Sequence, residues 1–351
     1  MSTRATPRQR GCGTTPRRIV IVGLGSIGTR HARVVRAVQP DALIMALRHR
    51  GATVPDGVSI DACTTSLREV LAWRPDAAII ASPATAHLSS AGALAAAGVH
   101  LLIEKPISVT TDGVDAMLAV AHDAGAMVAT GYNLRFLPSL VRFRALLRRH
   151  VIGRVISVRA EVGQNLASWR PDTDWCRGVS ANAALGGGVL LELSHDLDYL
   201  RWIFGEVREL RSIVGFGGLP ELDVEDSALI AMQFEPGPLG QCVAASLGMD
   251  FVRHDRTRRC TVIGALGTLE WDGIANTIRH HPAGADGWHT VHTSHPARDA
   301  SYVAQWRHFL ARVVDGRIPR VSGHDGLAAL QLVDAVRRGA PAGVHTTPII
   351  P

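Results

Sequence analysis

A glycine-rich segment near the start of the chain constrains its fold more than any other stretch. A short β-branched run at 19–22 leads into three glycines spaced G-x-G-x-x-G, and helical spacing follows. In a strand–turn–helix unit the first glycine allows the tight turn, the second lets the backbone approach a pyrophosphate, and the third lets the helix pack on the strand. Free N–H groups at the start of the helix would hold the phosphates. The segment predicts a dinucleotide site with contacts at Gly23, Gly25, Ser26, Ile27 and Gly28.

The positive charge of the chain is concentrated at its beginning. The formal net charge is +6, and five arginines lie within residues 1–18, before any acidic residue. Residues 1–16 lack an apolar signal region and are expected to form a disordered basic tail. No apolar run is long enough to span a membrane. We therefore expect neither a nucleic-acid partner nor a membrane partner.

The cysteines indicate the compartment. The five are scattered and form no C-x-x-C motif. This pattern favours free thiols in a reducing cytoplasm over a disulfide framework.

Strand-like and helical runs alternate after the glycine turn. The strand-like runs are 42–47, 77–81, 100–103 and 127–130, and the helical runs are 66–73, 86–97 and 110–124. Unbroken apolar strands that alternate with helices predict an α/β fold with a doubly wound parallel sheet. Ligands bind beyond the carboxyl ends of such strands. Candidate contacts there are Ser82, His87, Glu104, Lys105 and Asn133.

Arg48 is the residue most relevant to cofactor choice. It stands 20 residues after Gly28, where NAD-preferring sites carry an acid that binds the ribose 2′-OH. A guanidinium there could bind a 2′-phosphate instead, which favours NADP, with NAD as the alternative. A solvated surface arginine is the other interpretation.

Glu104-Lys105-Pro106 places a charged pair at the mouth of the predicted cofactor crevice. The proline commonly fixes a sharp turn, which would orient the lysine. Taken alone, the tripeptide would be better interpreted as a solvated lysine after a strand.

Three motifs together resemble those of the Gfo/Idh/MocA oxidoreductase family: G-L-G-S-I-G from Gly23, E-K-P from Glu104 and G-Y-N-L-R-F from Gly131. They occur in the family's order, and the resemblance extends from about residue 18 to about 340. It implies a Rossmann domain followed by an α+β domain with an open-faced, largely antiparallel sheet. It also implies NAD(P)-dependent oxidation or reduction of a sugar, activated sugar or cyclitol, with Asn133 beside the nicotinamide and Arg135 facing the substrate.

Residues past 150 change pattern, which supports a second domain. Strand-like runs separated by Gly, Pro and Asp turns predict an antiparallel sheet, and 301–314 and 326–338 read as C-terminal helices. We expect a tail at 1–16, a Rossmann domain at 17–132 and a substrate and oligomerisation domain at 133–351. An open sheet face would be covered in a homodimer or homotetramer.

The segment 186–205 opens with three glycines and continues with helical periodicity. Glu192, His195 and Asp198 are spaced i, i+3, i+6, so neighbouring members should share a helix face. Ionisable groups on an apolar helix are costly unless they line a wet cavity, although they could also satisfy one another at a domain interface. The resemblance favours His195 as the catalytic base. Its usual carboxylate-to-histidine spacing is four rather than three, which leaves open whether Glu192, Asp196 or Asp198 assists.

An alcohol oxidised by hydride transfer must also lose its hydroxyl proton. Imidazole titrates near neutral pH, so we expect His195 to exchange the proton and Lys105 to stabilise the developing alkoxide, with the reverse assignment as alternative. Both residues, with Arg135, Trp175 and Glu192, are predicted to contact substrate. Five histidines within 280–295 are interpreted as a solvated loop without a metal.

Two other functions remain open from the sequence. A non-catalytic NAD(P)-sensing protein would keep the glycine turn without turnover. A sugar–sugar oxidoreductase would retain its cofactor between two half-reactions.

Overall fold

The computed structural model describes residues 13–49, 51, 54–55, 57–169, 174–219 and 222–339. These residues divide into two compact units. The first comprises the described residues up to Tyr132 together with Tyr302–Leu327, and the second comprises Asn133–Ser301 together with the described residues from Ala328 onward. The predicted disordered tail falls mostly outside the described residues, as does Cys12. The four described cysteines form no disulfide bond with one another.

The first unit contains a parallel sheet. Its strands are β1 (Arg18–Val22), β2 (Leu43–Leu47), β3 (Ala62–Thr64), β4 (Ala77–Ile80), β5 (His100–Ile103) and β6 (Val128–Thr130). Their order is β3-β2-β1-β4-β5-β6, and every pairing is parallel. The predicted doubly wound sheet is confirmed, and the short β3 is an addition to it.

The described residues form helices in both units, and one from the C-terminal part of the chain completes the core of the first sheet. The helices are α1 (Ser26–Val38), α2 (Leu67–Trp73), α3 (His87–Ala96), α4 (Val114–Asp123), α5 (Pro138–Arg148), α6 (Val189–Glu192), α7 (His195–Phe204), α8 (Ala300–Asp315) and α9 (Gly323–Arg338). Trp306 and Phe309 of α8 join the core built on β1 and β2. The Trp306 indole also donates to Gln39 Oε1 at 3.0 Å. The predicted boundary at residue 132 assigns all later residues to the second domain. The structure instead places 302–327 in the first unit.

The second unit contains a mixed sheet. Its strands are β7 (Val155–Gly163), β8 (Val207–Gly215), β9 (Ser227–Phe234), β10 (Val243–Asp250), β11 (Thr257–Gly264), β12 (Gly267–Asp272), β13 (Thr277–Pro282) and β14 (His289–Thr293). The order is β14-β13-β12-β11-β7-β10-β9-β8, with β7 and β10 parallel and the other pairs antiparallel. The predicted, largely antiparallel sheet is confirmed.

The two faces of this sheet differ. Trp271 of β12 is fully buried against Phe143 of α5 and Tyr199 of α7. Along β9, by contrast, Leu229 and Ala231 alternate as exposed residues with buried neighbours. Within the described part of the chain, no helix combines the length and apolar character needed to cross a membrane.

The histidine-rich region differs from its prediction. His280 and His281 lie in β13, and His289 and His292 lie in β14, where His280 pairs with His289. The region is therefore an edge hairpin and not a loop. The strands are hard to predict from the sequence because most of their residues are polar. Ile278 is the one fully buried apolar residue in β13 and β14.

Candidate active site

The glycine turn has the geometry that a pyrophosphate site requires. Gly23 has φ +92°, and a Cβ there would lie 2.8 Å from the Ala81 carbonyl oxygen. A Cβ on Gly28 would lie 1.9 Å from the Gly23 carbonyl oxygen, so the helix packs on the turn only with glycine there. A Cβ on Gly25 would meet no atom within 4 Å. The backbone at Gly25 is thus open to an approaching ligand, as a dinucleotide needs.

The start of α1 is also suited to an anion. Gly25 is the N-cap residue and provides no side-chain cap, and the first turn contains no acid. Ser26 and Ile27 stand in that first turn. Uncapped N–H groups and the positive end of the helix dipole favour phosphate, so this end fits a nicotinamide dinucleotide.

Arg48 directly follows β2, and its backbone N–H donates to the Thr64 carbonyl oxygen at 2.9 Å. The side chain is half-buried. No carboxylate occurs between Leu43 and His49. This strand end therefore lacks the acid that a ribose 2′-OH would use, and Arg48 stays a predicted cofactor contact.

The turn after β4 contains Ser82 and His87. The buried Ser82 hydroxyl has no hydrogen-bond partner among the described residues, which fits a donor reserved for a ligand. His87 is 1% exposed, and its ring contacts the carbonyl oxygens of Ser82 at 2.8 Å and Pro106 at 3.0 Å. Burial lowers the pKa of His87. The observed role of His87 is to join two turns, and its predicted cofactor contact is untested.

Glu104 and Lys105 follow β5 directly. Glu104 is buried, and its carboxylate accepts from His31 Nε2 at 2.6 Å and from the backbone N–H of Lys105 at 3.1 Å. A Cβ on Gly131 would lie 2.8 Å from Glu104 Oε2, so the carboxylate occupies a closely fitted place. Lys105 is half-buried, and the peptide bond to Pro106 is cis. Glu104 is therefore anchored within the protein, next to a more accessible lysine.

In the second unit, Asn133 and Arg135 stand in a short 3-10 turn at Asn133–Phe136. The Asn133 amide donates to Ser301 Oγ at 2.8 Å. Arg135 is 3% exposed and donates to both carboxylate oxygens of Asp198, at 2.9 and 2.7 Å. A bidentate pair of this kind fixes both side chains. A substrate contact by Arg135 stays a prediction, and the ion pair is what the structure shows.

The segment with the candidate base differs from the continuous helix that periodicity predicts. Helix α6 ends at Glu192 and α7 begins at His195, so these two residues do not share the face of one helix. Ser194 Oγ donates to the Leu191 carbonyl oxygen at 2.8 Å. Serine competes for backbone hydrogen bonds in this way and favours helix ends over helix interiors. The break makes His195 the first residue of a new helix.

Two buried carboxylates follow His195 in the first turn of α7. Asp196 and Asp198 are fully buried. Arg258 of β11 donates from Nε to Asp196 Oδ2 at 3.1 Å, while Asp198 pairs with Arg135. Burial raises the pKa of Asp196 to about 6, although Arg258 opposes the shift. The two acids therefore anchor the helix that begins at His195.

The other predicted substrate contacts are less defined. Trp175 is half-buried in the turn Trp175–Arg177, and Glu192 is half-buried at the end of α6. Both stay predictions.

Sequence reasoning missed two features of this site. His31, on α1, was not selected, although it stands three residues after the last glycine of the motif. Lys105 is also the only lysine among the 37 lysine and arginine residues, and the residue composition alone is enough to single it out.

Comparisons with known proteins agree with this architecture. Residues 17–132 match the model of an oxidoreductase family with an NAD-binding Rossmann fold. Residues 144–345 match the C-terminal alpha/beta domain of the same family.

Full-length relatives are recognisable at moderate identity. The chain is 26% identical to myo-inositol 2-dehydrogenase of Thermotoga maritima, over 92% of this chain and 95% of that protein. It is 28% identical to a myo-inositol dehydrogenase of Streptomyces leeuwenhoekii, over 95% of this chain and 99% of that protein.

Among solved structures, levoglucosan dehydrogenase in complex with NADH and levoglucosan has a TM-score of 0.82 at 18% identity. That match covers 94% of this chain and 98% of the other, and it shows a shared fold. Because the two family models together span most of the sequence, the chain belongs to the Gfo/Idh/MocA family of oxidoreductases.

Proposed function

We propose that the protein transfers hydride between a nicotinamide dinucleotide and the hydroxyl or carbonyl carbon of a sugar, activated sugar or cyclitol. The observation that carries the proposal is that the only lysine of the chain stands two residues after β5. The strands β1, β4 and β5 are parallel neighbours, so Lys105 and the glycine turn lie at the same edge of one sheet. Relatives named as inositol dehydrogenases support a polyhydroxylated ring as substrate.

The protein must place the substrate and accept one proton. The glycine turn would hold the cofactor, which would supply the hydride acceptor, and the protein must then take the hydroxyl proton that is lost as the carbonyl forms. We assign proton exchange to the His195 imidazole and hydrogen bonding of the developing alkoxide to the Lys105 amine. Arginine is not an equivalent donor for that role, because its planar guanidinium fork cannot take the place of a compact, rotatable ammonium group. The reversed assignment of the two residues is the second candidate.

A turnover assay tests this proposal. The purified protein is supplied with oxidised cofactor and a panel of inositols and anhydro sugars, and reduced cofactor is followed by absorbance. Lys105→Met and His195→Asn should each lower kcat by about 10²- to 10⁴-fold while cofactor binding persists. Lys105→Arg is the matched control, which keeps the charge and should not restore turnover. Full activity in Lys105→Met would overturn the assignment.

The same assay separates the two other functions. Cofactor binding without turnover of any panel member would favour the sensing protein. Turnover that needs a second sugar as hydride acceptor, with cofactor still bound after gel filtration, would favour the sugar–sugar oxidoreductase.

For the cofactor we propose NADP, with Arg48 as the residue that recognises the 2′-phosphate. The absence of an acid between Leu43 and His49 supports this choice. The competing cofactor is NAD, which the name of a Bacillus subtilis relative, scyllo-inositol 2-dehydrogenase (NAD(+)), specifies. Paired fluorescence titrations with NADPH and NADH should show tighter NADPH binding that Arg48→Glu reverses. Stronger NADH binding by the wild type would refute the choice.

We further propose that the exposed face of the mixed sheet joins two copies of the chain. Ile213 of β8 and Leu229 of β9 are register partners and are 72% and 65% exposed. Paired apolar side chains on an otherwise open face support a contact between proteins. Light scattering should give the mass of a dimer or tetramer, and Leu229→Lys should lower it. A monomer mass at every concentration would contradict this proposal.

A further inference from the structure

The residues on either side of Lys105 contact two buried histidines. The residue before it, Glu104, accepts a hydrogen bond from His31 at 2.6 Å. The residue after it, Pro106, has its carbonyl oxygen 3.0 Å from His87 Nδ1. The two histidines come from different helices, α1 and α3. Together they contact both chain neighbours of the proposed catalytic lysine.

The contact with Glu104 continues to Lys105 itself. The carboxylate of Glu104 uses Oε1 for His31 and Oε2 for the Lys105 backbone N–H. A carboxylate fixed by His31 therefore fixes the first backbone atom of Lys105. His31 belongs to α1, the helix that follows the glycine turn. Hydrogen bonds through Glu104 therefore connect this helix to the backbone of Lys105.

The contact with Pro106 acts from the other side. His87 is buried, and its Nε2 lies 2.8 Å from the Ser82 carbonyl oxygen. Both contacts of the ring are therefore with atoms that only accept. Burial lowers the pKa of His87, and a neutral imidazole has one N–H to donate. Variants that keep one ring position or the other can therefore separate the two contacts.

We propose that His31 and His87 are positioning residues for Lys105, His31 acting through the Glu104 carboxylate and His87 through the Pro106 carbonyl. The inference rests on the proposed function of Lys105. A lysine has four rotatable side-chain bonds, so the direction of its amine depends on a fixed backbone. A displacement of about 1 Å at a reacting group can cost about 100-fold in rate.

The single lysine provides a direct test. Reductive methylation with carbon-13 formaldehyde labels the amine of Lys105 and the α-amino group and no other amine, because the chain has one lysine. The dimethyl-lysine signal then reports the surroundings of Lys105 by NMR without any turnover. The α-amino signal is an internal control that should not move.

The variants are chosen by atom position. His31→Gln keeps a donor near Nε2, whereas His31→Leu removes it. His87→Asn keeps a donor near Nδ1, toward Pro106, and His87→Gln keeps one near Nε2, toward Ser82. We expect His31→Leu and His87→Gln to shift the Lys105 signal toward that of a free amine, and His31→Gln and His87→Asn to retain it.

Kinetics should follow the NMR signal. In unmodified protein, His31→Leu and His87→Gln should lower kcat about 10- to 100-fold, and the two conservative variants should recover most of kcat. Cofactor Kd should change by less than about twofold in His31→Leu, since His31 is not a predicted cofactor contact. His308→Leu is the control for loss of a histidine in the same unit and should not move the signal. If His31→Leu fails to fold, the comparison of His87→Asn with His87→Gln still decides.

An unchanged Lys105 signal in folded His31→Leu and His87→Gln would overturn the proposal. Equal shifts in His87→Asn and His87→Gln would overturn its assignment to Pro106. Failure of the proposed function gives a different result, since an active Lys105→Met would refute the role of the lysine while the NMR comparison would still report its positioning.

Discussion

Lys105 and His195, one in each unit, are anchored by different chemistry. Lys105 follows a parallel strand, and its neighbours contact two buried histidines. His195 begins a helix whose first turn also contains two buried aspartates, Asp196 and Asp198, each paired with an arginine. Removing one member of a buried ion pair costs about 3–5 kcal/mol, whereas a hydrogen bond contributes about 1 kcal/mol net, or about 1.5–3 kcal/mol when one partner is charged, as Glu104 is. The stability of the second unit should therefore depend more strongly on its anchors.

The largest expected effect is at Asp198. Asp198→Asn removes the carboxylate that two guanidinium N–H groups of Arg135 contact, and should lower the free energy of unfolding by about 3–5 kcal/mol in urea titrations. The control is Arg177→Gln, which breaks an exposed pair with Asp174 and should change stability by less than about 1 kcal/mol. If Asp198→Asn and Arg177→Gln lowered the free energy of unfolding equally, the buried pair would not anchor the second unit more strongly than an exposed one. The double variant Arg135→Met/Asp198→Leu should recover part of the loss, because no buried charge remains.

The anchors of the second unit are also the part that the sequence could not supply. Arg135 and Asp198 are 63 positions apart, and no spacing rule joins them. The helix break was missed because apolar periodicity continues through Leu193, while the Ser194 hydroxyl that ends α6 acts through a local hydrogen bond. In the first unit, by contrast, the glycine spacing and the apolar strands suffice for the parallel sheet and its turns. What they omit is His31, which only the folded backbone brings to Glu104.

The second effect sharpens the comparison through pH. The pKa of Asp196 is raised by burial from 3.8 to about 6, so between these values the folded protein binds more protons than the unfolded chain. Its contribution to stability should therefore fall as pH rises through this window and stay constant above it. A shift of about two pKa units corresponds to about 3 kcal/mol at most. The wild-type free energy of unfolding minus that of Asp196→Asn should decrease accordingly between about pH 4 and 7.

A carboxylate of the opposite kind is the control for that measurement. The hydrogen bond from Arg253 lowers the pKa of the exposed Asp255. Its contribution is present above the ordinary pKa and is lost as pH falls through the lowered one. The wild-type free energy of unfolding minus that of Asp255→Asn should therefore rise with pH. If both free-energy differences changed with pH in the same direction, burial of Asp196 would not govern its titration.

The smallest expected effects are in the glycine turn of the first unit. They test whether Gly28 is needed for stability and Gly25 for cofactor affinity. A Cβ on Gly28 would lie 1.9 Å from the Gly23 carbonyl oxygen, so Gly28→Ala must displace the helix and should cost about 1–3 kcal/mol of stability. Gly25→Ala meets no atom within 4 Å and should change the free energy of unfolding by less than about 0.5 kcal/mol. Its methyl group would nonetheless occupy the space that a pyrophosphate needs, so cofactor Kd should rise at least about tenfold in fluorescence titrations. Unchanged affinity in a fully stable Gly25→Ala would show that the open space beside Gly25 does not hold the cofactor, although the strand, turn and helix around it still fold as the glycine spacing dictates.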